Sequence, residues 1–137
     1  MTSTPNTDGP ATTGPNAEVR HLMTRSTARI SPSAQLREVA EKLAAVEVGA
    51  LVVGTIDDVS GIVSERDVTR ALGLGEDPLA ANADDIASTN LVWCDADTTV
   101  AEAARVMSER GVRHLLVGDG DLEGIVSARD LLTALAH

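Results

Sequence analysis

The sequence predicts an α+β fold built from two β-α-β-β-α units packed as a pseudo-two-fold pair. Three observations carry that prediction. The stretch "GIVSERD" (61–67) returns almost intact as "GIVSARD" (124–130). Apolar residues recur at helical spacing in two stretches offset by 64 residues, 28–54 and 92–118. Each helical stretch is followed by two short aliphatic runs with a turn between them.

The elements follow in order. "ARI" (28–30) and "VWC" (92–94) open the two units as short strands. Leu36, Val39, Ala40 and Leu43 recur as Val100, Ala103, Ala104 and Met107, the i, i+3, i+4, i+7 pattern of a helix with one buried stripe. "ALVVG" (50–54) and "HLLVG" (114–118) read as buried strands. "DDVSGIVS" (57–64) and "GDLEGIVS" (120–127) supply a turn and a second strand. The offset drops from 64 to 63 here, so the second hairpin is one residue shorter. "VTRALG" (68–73) and "LLTALA" (131–136) close the units as helices.

This parse gives a tail at 1–17, a first unit at 18–73, a connector at 74–82 and a second unit at 83–137. The tail is expected to be disordered, because Thr, Pro, Asn and Gly without periodic apolar residues bury too little to offset the entropy of ordering. Each unit has a small sheet with helices on one face. Its apolar surface calls for a second unit to cover it.

Composition narrows the function. Hydrophobic residues make up 43% of the 137, but aromatics only 1%, all of it Trp93. Aliphatic side chains must fill the core, and a planar ligand must be gripped without ring stacking. The formal charge of −10 disfavours nucleic acid and anionic membrane surfaces. No apolar run reaches the roughly 18 residues of a membrane span. The N-terminus has neither the basic nor the apolar region of a secretion signal, and a cytoplasmic protein is expected. Cys94, the single cysteine, forms no internal disulfide and reads as a buried thiol. His21, His114 and His137 match no compact ligand spacing, with or without Cys94, so no metal site is expected. There is no Gly-x-Ser-x-Gly, His-Glu-x-x-His, Gly-x-Gly-x-x-Gly or Gly-Lys-Ser/Thr pattern, and no enzyme is expected.

The repeated junction has two readings. Ser64 and Asp67, like Ser127 and Asp130, have the spacing of a capping box, which satisfies orphan donors at a helix start and is worth about 1 kcal/mol. The same geometry suits a ligand: helix N–H groups favour an anion such as phosphate, and a carboxylate accepts from paired ribose hydroxyls. The readings compete, since an Asp committed to its own backbone is less available to a sugar.

The duplicated "GIVSERD" and "GIVSARD", together with "ISPSAQLREVAEKLAAVEVGALVV" and "VRHLLV", resemble the cystathionine-β-synthase (CBS) domain family, and the pair resembles a Bateman module. The resemblance covers about 19–137 and is similar to small bacterial stand-alone CBS-pair proteins. It implies a non-catalytic sensor that requires no cofactor but binds an adenosine-containing ligand: AMP, ADP, ATP, NAD or S-adenosylmethionine. Carried over, one cleft would use Ser64, Asp67, Leu91, Val92 and Ala50. The other would use Ser127, Asp130, Thr27, Ala28 and Arg113. Arg113 and His114 stand where the first unit has Gly49 and Ala50, so the second cleft has the better cation for phosphate. The chain departs from the family in lacking its strand Pro, replaced by Val52 and Leu116, and in having Ala87-Ser88 where Met-Thr is usual. The resemblance also implies a homodimer and a protein partner acting in trans. The alternative is a ligand-free interaction or dimerisation module in which Ser-x-x-Asp only caps helices.

Overall fold

The computed structural model describes residues 13–25, 28–46, 49–55 and 57–136. The described elements run β1 (Arg29–Ile30), α1 (Leu36–Val46), β2 (Ala50–Gly54), β3 (Val59–Ser64), α2 (Glu65–Gly73), α3 (Ala83–Ile86), β4 (Trp93–Cys94), α4 (Val100–Arg110), β5 (His114–Val117), β6 (Gly124–Ser127) and α5 (Ala128–Leu135). The α+β class and the duplicated β-α-β-β-α order are as the spacing predicts.

The two sheets are built alike. β1 runs parallel to β2 and β2 antiparallel to β3; β4, β5 and β6 repeat this. Registers correspond: Ala50 faces Ser64 and Val52 faces Ile62, as His114 faces Ser127 and Leu116 faces Ile125. The extra residue of the first hairpin is absorbed by an irregularity beside Val53 and Gly54, where Ser60 is skipped in the register. The Ser60 hydroxyl donates to the Val53 carbonyl at 3.3 Å.

Each sheet has its own aliphatic core. Leu36, Val39 and Leu43 of α1 pack with Leu51, Val53 and Val63. Val100, Ala103 and Met107 of α4 pack with Leu115, Val117 and Val126. Ala104, placed on the buried stripe by periodicity, is exposed. Val52 and Leu116, the positions where the strand Pro is missing, are fully buried but outside these clusters. They alternate with the cluster residues along each strand and so face the other side of the sheet.

The compact units are not the sequence repeats. One contains the described residues up to Arg25 together with those from Val92 onward; the other contains those in between. Residues 13–25, which include the start of the first repeat, belong to the unit of the second sheet, and 78–91, which include the start of the second repeat, belong to the unit of the first. The exchange is duplicated bond for bond. Val19 N–H donates to Thr98 O and Ala83 N–H to Ala34 O, both at 2.8 Å. Val100 N–H donates to Ala17 O and Leu36 N–H to Ala81 O, also at 2.8 Å. Thr24 exchanges two backbone hydrogen bonds with Ile125 in β6, and Ser88 exchanges two with Ile62 in β3.

Both glycines of the repeated "GIVS" are explained by this crossing. A Cβ on Gly124 would lie 2.7 Å from the Thr24 carbonyl oxygen and 2.9 Å from the Met23 sulfur. A Cβ on Gly61 would lie 3.0 Å from Ala87 Cβ and from Ser88 O. At Gly124 a side chain would force the crossing segment to shift, and at Gly61 it would have to press its neighbours back by a few tenths of an ångström.

Part of the expected tail is therefore corrected. Most of 1–17 lies outside the described residues, but Gly14, Pro15 and Ala17 are anchored to the rest of their unit. Ala17 is fully buried, Gly14 N–H donates to Ala134 O, and Pro15 O accepts from Ala101 N–H. A short Thr- and Pro-rich stretch has no periodicity, so its single anchoring Ala is invisible to pattern reading. The connector 74–82 likewise ends in a structural element, with Ala81 in the first core.

Helix α4 starts with a further capping box. The Glu102 carboxylate accepts from the Thr99 N–H and from its hydroxyl, both at 3.0 Å. These bonds, the backbone one first, hold its pKa below the usual glutamate value. A depressed carboxylate stabilises the fold above its unfolded pKa and loses that contribution as pH falls through the folded one. Glu102→Ala is expected to lower the urea midpoint at neutral pH. The gap to the parent should close as pH is taken from about 5 to about 3. A gap that persists unchanged at the acid end would contradict this reading.

Candidate functional site

The two strand-to-helix junctions are built identically and can be described one at a time. In the first, β3 ends at Ser64, whose backbone is extended at φ −113°, ψ 168°, and α2 begins at the next residue. The Ser64 N–H donates to Asp67 Oδ2 at 2.8 Å, and the Ser64 hydroxyl donates to the same oxygen at 2.9 Å. The Asp67 N–H donates back to Ser64 Oγ at 3.3 Å. In the second, Ser127 N–H donates to Asp130 Oδ2 at 2.8 Å and Asp130 N–H to Ser127 Oγ at 3.1 Å. The capping-box reading is therefore correct at both junctions.

Capping does not exhaust these carboxylates. A carboxylate offers about four acceptor positions on two oxygens. Only Oδ2 is engaged in each Asp; Oδ1 accepts no hydrogen bond among the described residues. Ser64, Asp67, Ser127 and Asp130 are all half-buried rather than sealed in a core. Each Asp can therefore hold its own helix start with one oxygen and present the other to a hydroxyl donor.

The remaining predicted residues divide between the units. Ala50 pairs directly with Ser64 across the sheet. Leu91, half-buried, ends the same unit, where its N–H donates to Thr89 O. Val92 belongs to the other unit: its side chain is 6% exposed in that core and its carbonyl accepts from Leu116 N–H. Arg113 lies beside the second junction, its carbonyl accepting from Ala128 N–H at 2.8 Å and its side chain exposed. Ala28 belongs to the first unit, with its carbonyl accepting from Val52 N–H. Thr27 lies outside the described residues.

One residue beside the site was missed by sequence reasoning. Glu65 follows Ser64, and its N–H donates to Gly49 O at 3.1 Å. Its carboxylate lies 3.6 Å from where a Cβ of Gly49 would stand. The second junction has Ala128 and Arg113 at these two places. The signal was the single difference between "SERD" and "SARD".

Cys94 is half-buried in β4. Burial pushes its thiol pKa up and the Asp95 charge adds to this, against a lowering hydrogen bond with Thr98. Its alkylation by iodoacetamide at neutral pH is expected to be slower than that of a free cysteine. Alkylation as fast as glutathione's would contradict this. Among the described residues no three His, Cys, Asp or Glu side chains gather to hold a metal ion, and no helix is long and apolar enough to cross a membrane.

Two copies of one β-α-β-β-α unit, each closing through a strand–Ser-x-x-Asp–helix junction, define a tandem-repeat α+β protein. Comparison with known proteins gives that class its family: CBS domains match at 19–74 and 83–137, and the chain belongs to the CBS domain family. Paired CBS domains are regulatory modules. An uncharacterized protein of Methanopyrus kandleri is 35% identical over 106 residues, which are 74% of this chain and 54% of that protein. The chain thus spans about half the length of that relative. Among solved structures, a CBS-domain containing protein of Agrobacterium tumefaciens is 30% identical with a TM-score of 0.75, covering 85% of this chain and 92% of that one. Hypoxic Response Protein I, solved with two coordinated zinc ions, is 29% identical with a TM-score of 0.68, covering 87% and 99%. The Hypoxic response protein 1 of Mycobacterium tuberculosis is 28% identical to this chain over 115 residues, which are 82% of this chain and 80% of that protein.

Proposed function

We propose that this protein is a non-catalytic sensor that binds an adenosine-containing ligand (AMP, ADP, ATP, NAD or S-adenosylmethionine) beside its Ser-x-x-Asp junctions. The observation that carries this is the division of labour on each carboxylate. Asp67 and Asp130 cap their helices through Oδ2 and keep Oδ1 without a partner among the described residues, at half-buried positions. That oxygen suits a ribose hydroxyl. Membership of the CBS family supports the same ligand class. Arg113 favours phosphate at the second junction, whereas Glu65 disfavours it at the first. Ligand binding would bias a partner in trans by preferring one arrangement of the chain.

Isothermal titration of nucleotide-free protein with each of the five ligands tests the reading. Heat of binding is expected with at least one; folded protein that gives none with all five would overturn it. A homodimer belongs to the same proposal. It is supported by Leu132 and Leu135 of α5, 67% and 51% exposed, and Leu72 of α2, 50% exposed. Native mass spectrometry reads subunit count and retained ligand together. The second reading, a ligand-free interaction module, is favoured by the completeness of both capping boxes and by these same leucines.

A further inference from the structure

Resting on the adenosyl-ligand reading above, we infer that the two Ser-x-x-Asp junctions sort ligands by charge: the second takes a phosphate-bearing nucleotide and the first refuses it. The backbone does not tell the two junctions apart. Ala50 faces Ser64 as His114 faces Ser127, and both Ser N–H groups reach their Asp Oδ2 at 2.8 Å. Arg66 and Arg129 hold the same place in the two motifs and cancel in the comparison. Selectivity must therefore come from the side chains that differ. Two differences point the same way, and each lies within one compact unit.

The first is the sign of the charge where strand meets helix. Next to the paired Ser residues, Gly49 O accepts from Glu65 N–H at 3.1 Å, as Arg113 O accepts from Ala128 N–H at 2.8 Å. At the first junction the charged group comes from the helix side. Glu65 Oε1 stands 3.6 Å from where a Cβ of Gly49 would be. At the second junction the helix side ends in the methyl of Ala128, and the strand side carries the guanidinium of Arg113. Neither Glu65 nor Arg113 has an ion pair among the described residues. A phosphate arriving at one junction meets a carboxylate; at the other it meets a cation suited to it.

The second difference is the serine proton. The Ser64 hydroxyl donates to Asp67 Oδ2 at 2.9 Å, so its one donor is spent. The Ser127 hydroxyl accepts from Asp130 N–H at 3.1 Å and donates to no atom among the described residues. Phosphate oxygens are acceptors. The second junction offers them a hydroxyl donor and a guanidinium, and the first offers neither. What suits the first is an adenosyl group without phosphate, such as S-adenosylmethionine, whose sulfonium Glu65 attracts.

Calorimetry on the full, nucleotide-free chain tests this. Four ligands carry phosphate (AMP, ADP, ATP and NAD), and two do not (adenosine and S-adenosylmethionine). The tightest of the four is expected to fill one site per chain. Arg113→Ala should weaken that nucleotide about 10-fold and leave adenosine within about twofold. A charge exchange supplies the gain-of-binding arm. Gly49 is exposed, its backbone lies outside the left-handed region, and an added Cβ would make only ordinary contact. Gly49→Arg/Glu65→Ala should therefore fold and bind a second nucleotide per chain, and Glu65→Ala alone should bind it more weakly. Two equal nucleotide sites in the parent would overturn the inference and leave the sensor standing. So would equal losses for nucleotide and adenosine in Arg113→Ala, or a folded double variant that still takes one nucleotide per chain. Binding of adenosine or S-adenosylmethionine with none of the four nucleotides would do the same. If folded protein binds none of the six ligands, the sensor reading falls and this inference with it.

Discussion

Deletion of residues 1–25 is expected to unfold the CBS domain formed by 92–136, although every residue of its own repeat remains. The deleted stretch carries Ala17 and Val19, both fully buried, and Met23, 9% exposed. It also supplies hydrogen-bond partners to Thr98, Ala96, Ile125 and Val100. Exposing one Val and one Met side chain, together with the Ala, costs about 5 kcal/mol at the usual apolar transfer values. That is comparable with the whole stability of a small domain, about 5–15 kcal/mol. The truncated chain should show a denatured-like Trp93 emission, reduced helical circular dichroism and rapid proteolysis within 92–136. Gly124→Val offers a graded version, because its side chain must displace the Thr24 carbonyl and the Met23 sulfur. A truncated protein with native emission and a native urea midpoint would show that 13–25 merely lie on the domain without supporting it.

Asp130→Ala should separate capping from sensing. As a cap residue, Asp130 contributes about 1 kcal/mol, and its loss should lower the urea midpoint modestly. As a ribose acceptor it would contribute far more to affinity. A hydrogen bond to a charged group is worth about 1.5–3 kcal/mol, so losing it should weaken the ligand found by calorimetry about 10- to 100-fold. Asp67→Ala makes the same test at the first junction, where Glu65 adds negative charge beside the cap. Asn at either position keeps an acceptor for the backbone N–H and should restore most of the stability but not the affinity. If the Ala variants lose stability and bind ligand as tightly as the parent, capping accounts for the whole motif and the sensor reading falls.

The helices, the strands and both capping boxes were legible because they rest on local chemistry. Leu36, Val39 and Leu43 mark a helix by spacing, and a Ser followed three residues later by an Asp marks a helix start wherever a strand precedes it. The duplication strengthened each assignment, since a pattern written twice is harder to mistake. What stayed hidden was non-local. Nothing within "GPNAEVRHLMT" says that Ala17 and Val19 fill a core some eighty residues downstream. Nothing in Gly61 or Gly124 says which backbone needs the space. The exposure of Ala104 and the placing of Glu65 against Gly49 depend likewise on neighbours that the linear order does not name.

The division has one physical origin. Side-chain periodicity and capping involve residues three or four apart, so the amino-acid order alone specified two β-α-β-β-α repeats and the acid at the head of each closing helix. Which segment completes which sheet is settled by edge-strand hydrogen bonds and small buried side chains that carry almost no periodic signal. Only the tertiary structure could therefore show that each repeat is finished by the segment leading into the other.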